Sequence, residues 1–188
     1  MNRGEYGDED TLVGMDSLGS LSIDCYIRSN LSRVSERQVE VLLERLRELQ
    51  EEGLVVDYET RQWPPKRHSV VEPQAAETTR SELFAKLESW ADQRGYSLAP
   101  AFERRQIHSS LLGEEEPQEE IRVPIVTLVL SDEATEATPL SGVVPYTTDP
   151  DSAERRTYTV DTWLQALEAQ AQRDGTTVQA SASVRGGQ

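Results

Sequence analysis

Three consecutive stretches restrict the fold of this chain more than any other feature: "SLSIDCYIR", "SERQVEVLLERLRELQEEG" and "LVVDYETRQW". In the first, Leu21, Ile23, Cys25 and Ile27 alternate with Ser22, Asp24, Tyr26 and Arg28. That period of two reads as a half-buried strand. "NLSRV" makes the turn. In the second stretch Val39, Leu42, Leu43, Leu46 and Leu49 fall on one face of a helix. Ser35 and Gln38 have the spacing of a capping box, and Gly53 supplies a stop. The third stretch follows at once as a strand closed by Pro64 and Pro65. Strand, helix and strand with so short a return point to a right-handed βαβ crossover, with an antiparallel arrangement still compatible.

The same logic continues downstream. "TRSELFAKLESWADQRG" repeats the helix pattern, with Thr79 and Glu82 as the box, Leu83, Phe84, Leu87, Trp90 and Ala91 as the inward stripe, and Gly95 as the stop. "YSLAPAFERRQIH" reads as extended and "LLGEEEPQEE" as a solvated acidic loop. "IRVPIVTLVL" is the most apolar strand and hence the most central, with Pro124 marking a bulge or strand start. "LSGVVPYT" can pair with it antiparallel. A last helix begins after Thr159, with Val160, Trp163, Leu164, Leu167 and Ala171 inward. The sum is an α+β fold in β-α-β-α-β-β-β-α order. It predicts a mixed sheet of about five strands with amphipathic helices packed on one face. Residues 1–19 read as a flexible N-terminal segment, 20–173 as a single domain and 174–188 as a disordered tail.

Charge describes the solvent. The 188 residues hold 34 Asp and Glu against 19 Lys and Arg, a formal charge of −15, and only Lys66 and Lys86 are lysine. Such a charge opposes compaction by self-repulsion. In molar salt the Debye length falls to roughly 3 Å and the repulsion largely vanishes. Excess acid, scarce lysine and abundant Ala, Val and Thr therefore read as a halophilic, cytoplasmic protein. The N-terminus lacks an apolar signal region, and "VPIVTLVL" is too short to span a bilayer.

Catalytic signals are weak. Cys25, the single cysteine, excludes an internal disulfide and falls on the apolar face of its strand, where a small thiol is usually core. One Cys and two His far apart in sequence do not make a zinc site. No glycine-rich phosphate cradle is present. The expectation is a non-enzymatic protein without cofactor or metal.

Basic segments remain: Arg61, Lys66, Arg67 and His68 around Trp63; Arg104, Arg105 and His108; and Arg155 with Arg156. One reading is an anion site for nucleic acid, with Trp63 or Tyr58 available for stacking. The other is intramolecular pairing of guanidinium groups with the many carboxylates, and Trp63 as a core residue closing the sheet edge.

Several stretches together, "IDCYIRS", "TRQWPPKRH", "WADQRGYSLAPAFERRQI", "RVPIVTLVL", "GVVPYT" and "RTYTVDTWLQALE", resemble a group of small haloarchaeal proteins labelled helix-turn-helix domain proteins. The likeness spans about 21–168 and brings no catalytic residues with it. It implies a halophilic cytoplasm and a role in transcription, with duplex DNA as partner. A winged variant would read the helix at 35–52 as running into a wing. The polar face of that helix carries Glu36, Glu40, Glu44, Glu48, Glu51 and Glu52, which repel phosphate. DNA contact would then fall to Arg37, Arg45 and Arg47, with Arg61, Lys66 and Arg67. The alternative is a protein-interaction or self-association module without nucleic-acid binding.

The salt reading has a direct consequence. Thermal unfolding followed by circular dichroism should show the midpoint rising as KCl is raised from low to molar concentration, whereas a midpoint indifferent to KCl would contradict it.

Overall fold

A seven-residue strand, β1 (Leu21–Ile27), organises the molecule by pairing on both sides. The computed structural model describes residues 12–65, 78–107, 118–134 and 140–182. Helix α1 (Arg33–Glu51) leaves β1 and returns the chain to β2 (Val55–Gln62), which pairs parallel with β1. Thus the crossover form of the strand-helix-strand unit is the one adopted. On its other side β1 pairs antiparallel with β5 (Val126–Asp132), and β5 with the short β6 (Gly142–Val144). The result is a mixed sheet of four strands in the order β2-β1-β5-β6, not about five.

The missing fifth strand went into two separate two-stranded pieces. β3 (Glu103–Ile107) and β4 (Gln118–Arg122) form one ribbon, and β7 (Tyr146–Thr148) and β8 (Arg156–Tyr158) the other. Proline is the reason in both places. "IRVPIVTLVL" divides around Pro124 into the end of β4 and most of β5, and "GVVPYT" divides at Pro145 into β6 and the start of β7. A proline cannot donate to a ladder, so each half pairs with a different neighbour. β4 also begins inside the stretch expected to be an acidic loop.

The alternation in β1 is realised as burial: Leu21, Ile23 and Cys25 are inaccessible or nearly so, while Ser22, Asp24 and Tyr26 are half-buried. In register with them, Val55 of β2 and Leu128 and Leu130 of β5 complete the apolar face. Helix α1 contributes Val39, Leu46 and Leu49 to this core, and α3 (Val160–Ala182) contributes Trp163, Leu164 and Leu167. α3 packs on β5 and against α1. The third helix, α2 (Arg80–Gln93), contacts β4 and β6.

Helix ends follow hydrogen-bond arithmetic. Thr79 and Glu82 form the reciprocal box at the start of α2, and Thr159 accepts from the Thr162 amide at the start of α3. At α1 the cap is Ser32 rather than Ser35: its hydroxyl accepts from the Ser35 amide at 3.2 Å. The sequence S-x-x-S offers two hydroxyls three apart, and the earlier one captures an extra turn of helix. Gly53 and Gly95 stop α1 and α2 with φ of 76° and 70°, a conformation that costs glycine nothing.

The chain enters the core before residue 20. Val13 is buried, its carbonyl accepts from Trp163 Nε1 at 2.8 Å, and its amide donates to the Tyr146 hydroxyl at 3.3 Å. At the other end, α3 runs helical to Ala182, past the start of the expected tail, while residues 1–11 and 183–188 lie outside the described residues.

Trp63 lies in this core at 2% exposure, so it is not a partner-facing residue. Its ring meets Tyr26 at 5.4 Å and Phe102 at 5.9 Å, and Phe102 meets Phe84 of α2 at 5.6 Å. This chain of rings ties the face of β1 opposite Cys25 to α2. Accordingly, Trp63→Ala should cost about 3–5 kcal/mol in urea unfolding, as expected for a buried aromatic. Val34→Ala, at an exposed site on α1, should stay within about 0.5 kcal/mol of wild type.

Candidate nucleic-acid and partner surfaces

The candidate cations separate into three groups by environment. Arg45 and Arg61 are held in ion pairs. Arg45 leaves the middle of α1 and reaches α3, where Nε lies 2.7 Å from Glu168 Oε1 and Nη2 lies 3.2 Å from Oε2. Its Nη1 donates to Asp161 Oδ1 at 2.6 Å. Hydrogen bonding to the Glu168 carboxylate outweighs partial desolvation and holds the guanidinium above its ordinary pKa. Arg61, near the end of β2, sits 2.9 Å from Asp24 and 2.8 Å from Glu59. Its pKa also rises, chiefly because of Asp24.

Arg37 and Arg47 form the second group. They are exposed on α1 and have no ion-pair partner among the described residues, but their helix presents Glu36, Glu40, Glu44, Glu48 and Glu51 to the same solvent. A phosphate approaching either arginine meets a net negative field. Lys66, Arg67 and His68 lie outside the described residues, as does His108.

The wing expected after α1 is not a wing. β2 is the edge strand of the main sheet and pairs parallel with β1, because its Val55 is needed beside Leu21 in the core. Among the described residues no two helices are joined by a short turn: α1 passes into β2, and α2 is followed by β3. A helix followed by an antiparallel ribbon occurs instead at α2, β3 and β4.

That ribbon carries the remaining arginines of note. Arg104 faces α2, with Nη2 2.7 Å from Glu88 and its guanidinium 5.2 Å from the centre of the Phe84 ring. The outer face pairs Arg105 with Glu103 at 2.8 Å, and Arg122 lies 3.8 Å from the same carboxylate. All three of these outer groups are largely exposed. Exposed pairs contribute only about 0–1 kcal/mol, so Arg105 and Arg122 can exchange a carboxylate for a phosphate at small cost.

Arg80 is a residue that the sequence pattern did not single out. It is only 6% exposed. Its Nε donates to the Pro64 carbonyl at 2.8 Å and its Nη1 to the Ile121 carbonyl at 3.4 Å. Burial lowers its pKa. It joins the first turn of α2 to the chain after β2 and to β4, and so positions the ribbon. No periodicity marks such a residue, because its partners are backbone carbonyls distant in sequence.

An open groove of about 920 Å³ runs along the first half of α1, bordered by Val34, Arg37, Val41, Arg45 and Asp161. It has charges of both signs and no convergent nucleophile or base. No group of three metal-ligating side chains occurs among the described residues, and none of their helices is long and apolar enough to cross a membrane.

Against this geometry stands one family finding: a family model described as a helix-turn-helix domain matches residues 15–172. No curated protein and no solved structure matches the chain.

Cys25 offers a check on the buried strand face. Burial raises its thiol from 9.0 to about 12. The folded state therefore keeps a proton that the unfolded chain releases, and stability should fall from about pH 9 towards pH 12. Tyr26, also raised by burial, adds to the same slope. Chemical unfolding across this range should show a shallower decline for Cys25→Ala than for wild type. In the native protein at pH 8, iodoacetamide should leave the thiol unmodified until urea exposes it.

Proposed function

This chain belongs to a helix-turn-helix domain family, and on that premise we propose that it is a non-enzymatic regulator of transcription that engages duplex DNA. The match over residues 15–172 carries this reading, since it covers the sheet and nearly all of the helical core. The major groove accepts either a helix or a two-stranded ribbon. The surface that best fits is the β3–β4 ribbon braced by α2, with Arg105 and Arg122 outward. It is favoured over α1 because the exposed side of α1 is predominantly carboxylate.

Salt sets the form that binding must take. Affinity falls by about 0.9 log units per phosphate contact for each decade of salt, so four contacts lose more than roughly a thousandfold between 0.2 and 2 M. A protein adapted to concentrated KCl must therefore recognise shape and base edges, with charge as a minor contributor.

A second reading, a protein-interaction module without nucleic-acid binding, is favoured by one observation. Arg45 and Arg61 are engaged by carboxylates of the same chain. Fluorescence anisotropy with a mixed-sequence duplex separates the two readings. Wild type should bind, and Arg105→Glu with Arg122→Glu should abolish binding or lower the log–log salt slope by about 2. Arg61→Glu should change affinity little. Absence of wild-type binding at the lowest KCl that preserves the fold would remove the DNA reading in favour of the second.

A further inference from the structure

The exposed side of α1 is charged in the sense opposite to the helix dipole. Opposite its buried stripe of Val39, Leu46 and Leu49, the helix presents Arg33 and Arg37 in its first two turns and then Glu40, Glu44, Glu48 and Glu51, with Glu36 of the first turn to one side. A helix N-terminus carries partial positive charge and the C-terminus partial negative charge, so cations at the start and anions at the end each destabilise an isolated helix. Arg33 with Arg37, and Glu44 with Glu48, are also like charges one turn apart, which adds repulsion. Among the described residues Arg33, Arg37, Glu44, Glu48 and Glu51 have no ion-pair partner. Beside this stripe Val34 and Val41 stand 71% and 53% exposed, one heptad apart.

We propose that this face of α1 is a homodimer interface, in which a second copy of the chain lays its own α1 antiparallel across it. The charge pattern selects that occupant. A two-fold axis near Val41 sets Arg37 of one copy beside the position of Glu44 in the other, and Arg33 beside Glu48 or Glu51. Each pairing occurs twice, as an isologous interface requires. Val41 then packs against its own symmetry mate at the centre. The antiparallel neighbour places guanidinium groups at the anionic end of each helix and carboxylates at the cationic end, so both dipole conflicts are relieved together. A helix of 19 residues is about 28 Å long, enough for the whole pattern to be in register. Negatively charged DNA cannot use this face, which separates the inference from the DNA reading.

Charge reversal tests it. Arg33→Glu with Arg37→Glu, and separately Glu44→Arg with Glu48→Arg, each relieve a dipole conflict but set new like charges beside Glu36 and Glu40 or beside Arg45 and Arg47. The far-UV spectrum and thermal midpoint of each variant are therefore measured first, and association is compared under conditions where all are folded. Sedimentation velocity over a wide concentration series is run at the lowest KCl giving the folded far-UV spectrum. Wild type should show a monomer–dimer equilibrium, and each reversed variant alone should dimerise about a hundredfold more weakly, since like charges then face each other. Mixed in equal amounts, the two variants should form a heterodimer at least as readily as wild type forms its homodimer. A wild type that stays monomeric at every concentration would overturn the proposal, as would reversed variants that self-associate like wild type or a mixture that forms no heterodimer.

Discussion

Two-sided pairing of β1 is the constraint from which the rest of the structure follows. A strand with Leu21, Ile23 and Cys25 inaccessible on one face can be satisfied only if that face is roofed by helices and both edges are filled. α1 closes one requirement by returning the chain to β2 in parallel register. β5 closes the other, and α3 covers it with Trp163, Leu164 and Leu167. Arg45 then ties the two helices together through Asp161 and Glu168. Removing β1 from this arrangement would leave no continuous sheet.

The consequence for function is a division of surfaces. One side of the molecule is a helical layer whose exposed stripe on α1 has segregated charges and two exposed valines. The opposite side has a ring chain, Tyr26–Trp63–Phe102–Phe84, leading to α2 and the β3–β4 ribbon. Arg80 fixes the latter assembly by bonding to two backbone carbonyls from separate segments. Cations are available on both sides; on the ribbon Arg105 and Arg122 share one exposed carboxylate, Glu103, whereas on α1 the exposed arginines stand among carboxylates. In this helix-turn-helix family member the described helices are separated by strands, which is why the proposed DNA contact is assigned to the ribbon rather than to a helix pair.

Strong periodicities were legible in the sequence: the alternation of β1, the stripes of α1 and α2, the glycine stops and the Thr79 box all recur in the structure. Strand number was less so. Pro124 and Pro145 break two apolar runs that hydropathy alone reads as continuous, and the ribbon pairs across residues distant from the main sheet. At the site, sequence proximity misled. Arg61 and Trp63 are two residues apart, a spacing that keeps both on one face of a continuous strand, yet one is exposed and pinned by carboxylates while the other is core: β2 ends at Gln62, and Trp63 packs on Tyr26 and Phe102. Arg80 was invisible for the reason that its partners are carbonyls, which carry no side-chain signature.

Hydrogen exchange with and without duplex DNA, at fixed protein concentration, tests the division of surfaces most directly. New protection is expected in peptides from β3 and β4, spanning 103–107 and 118–122, with those of α1 unchanged. Protection arising on α1 while the ribbon stays unaffected would contradict it.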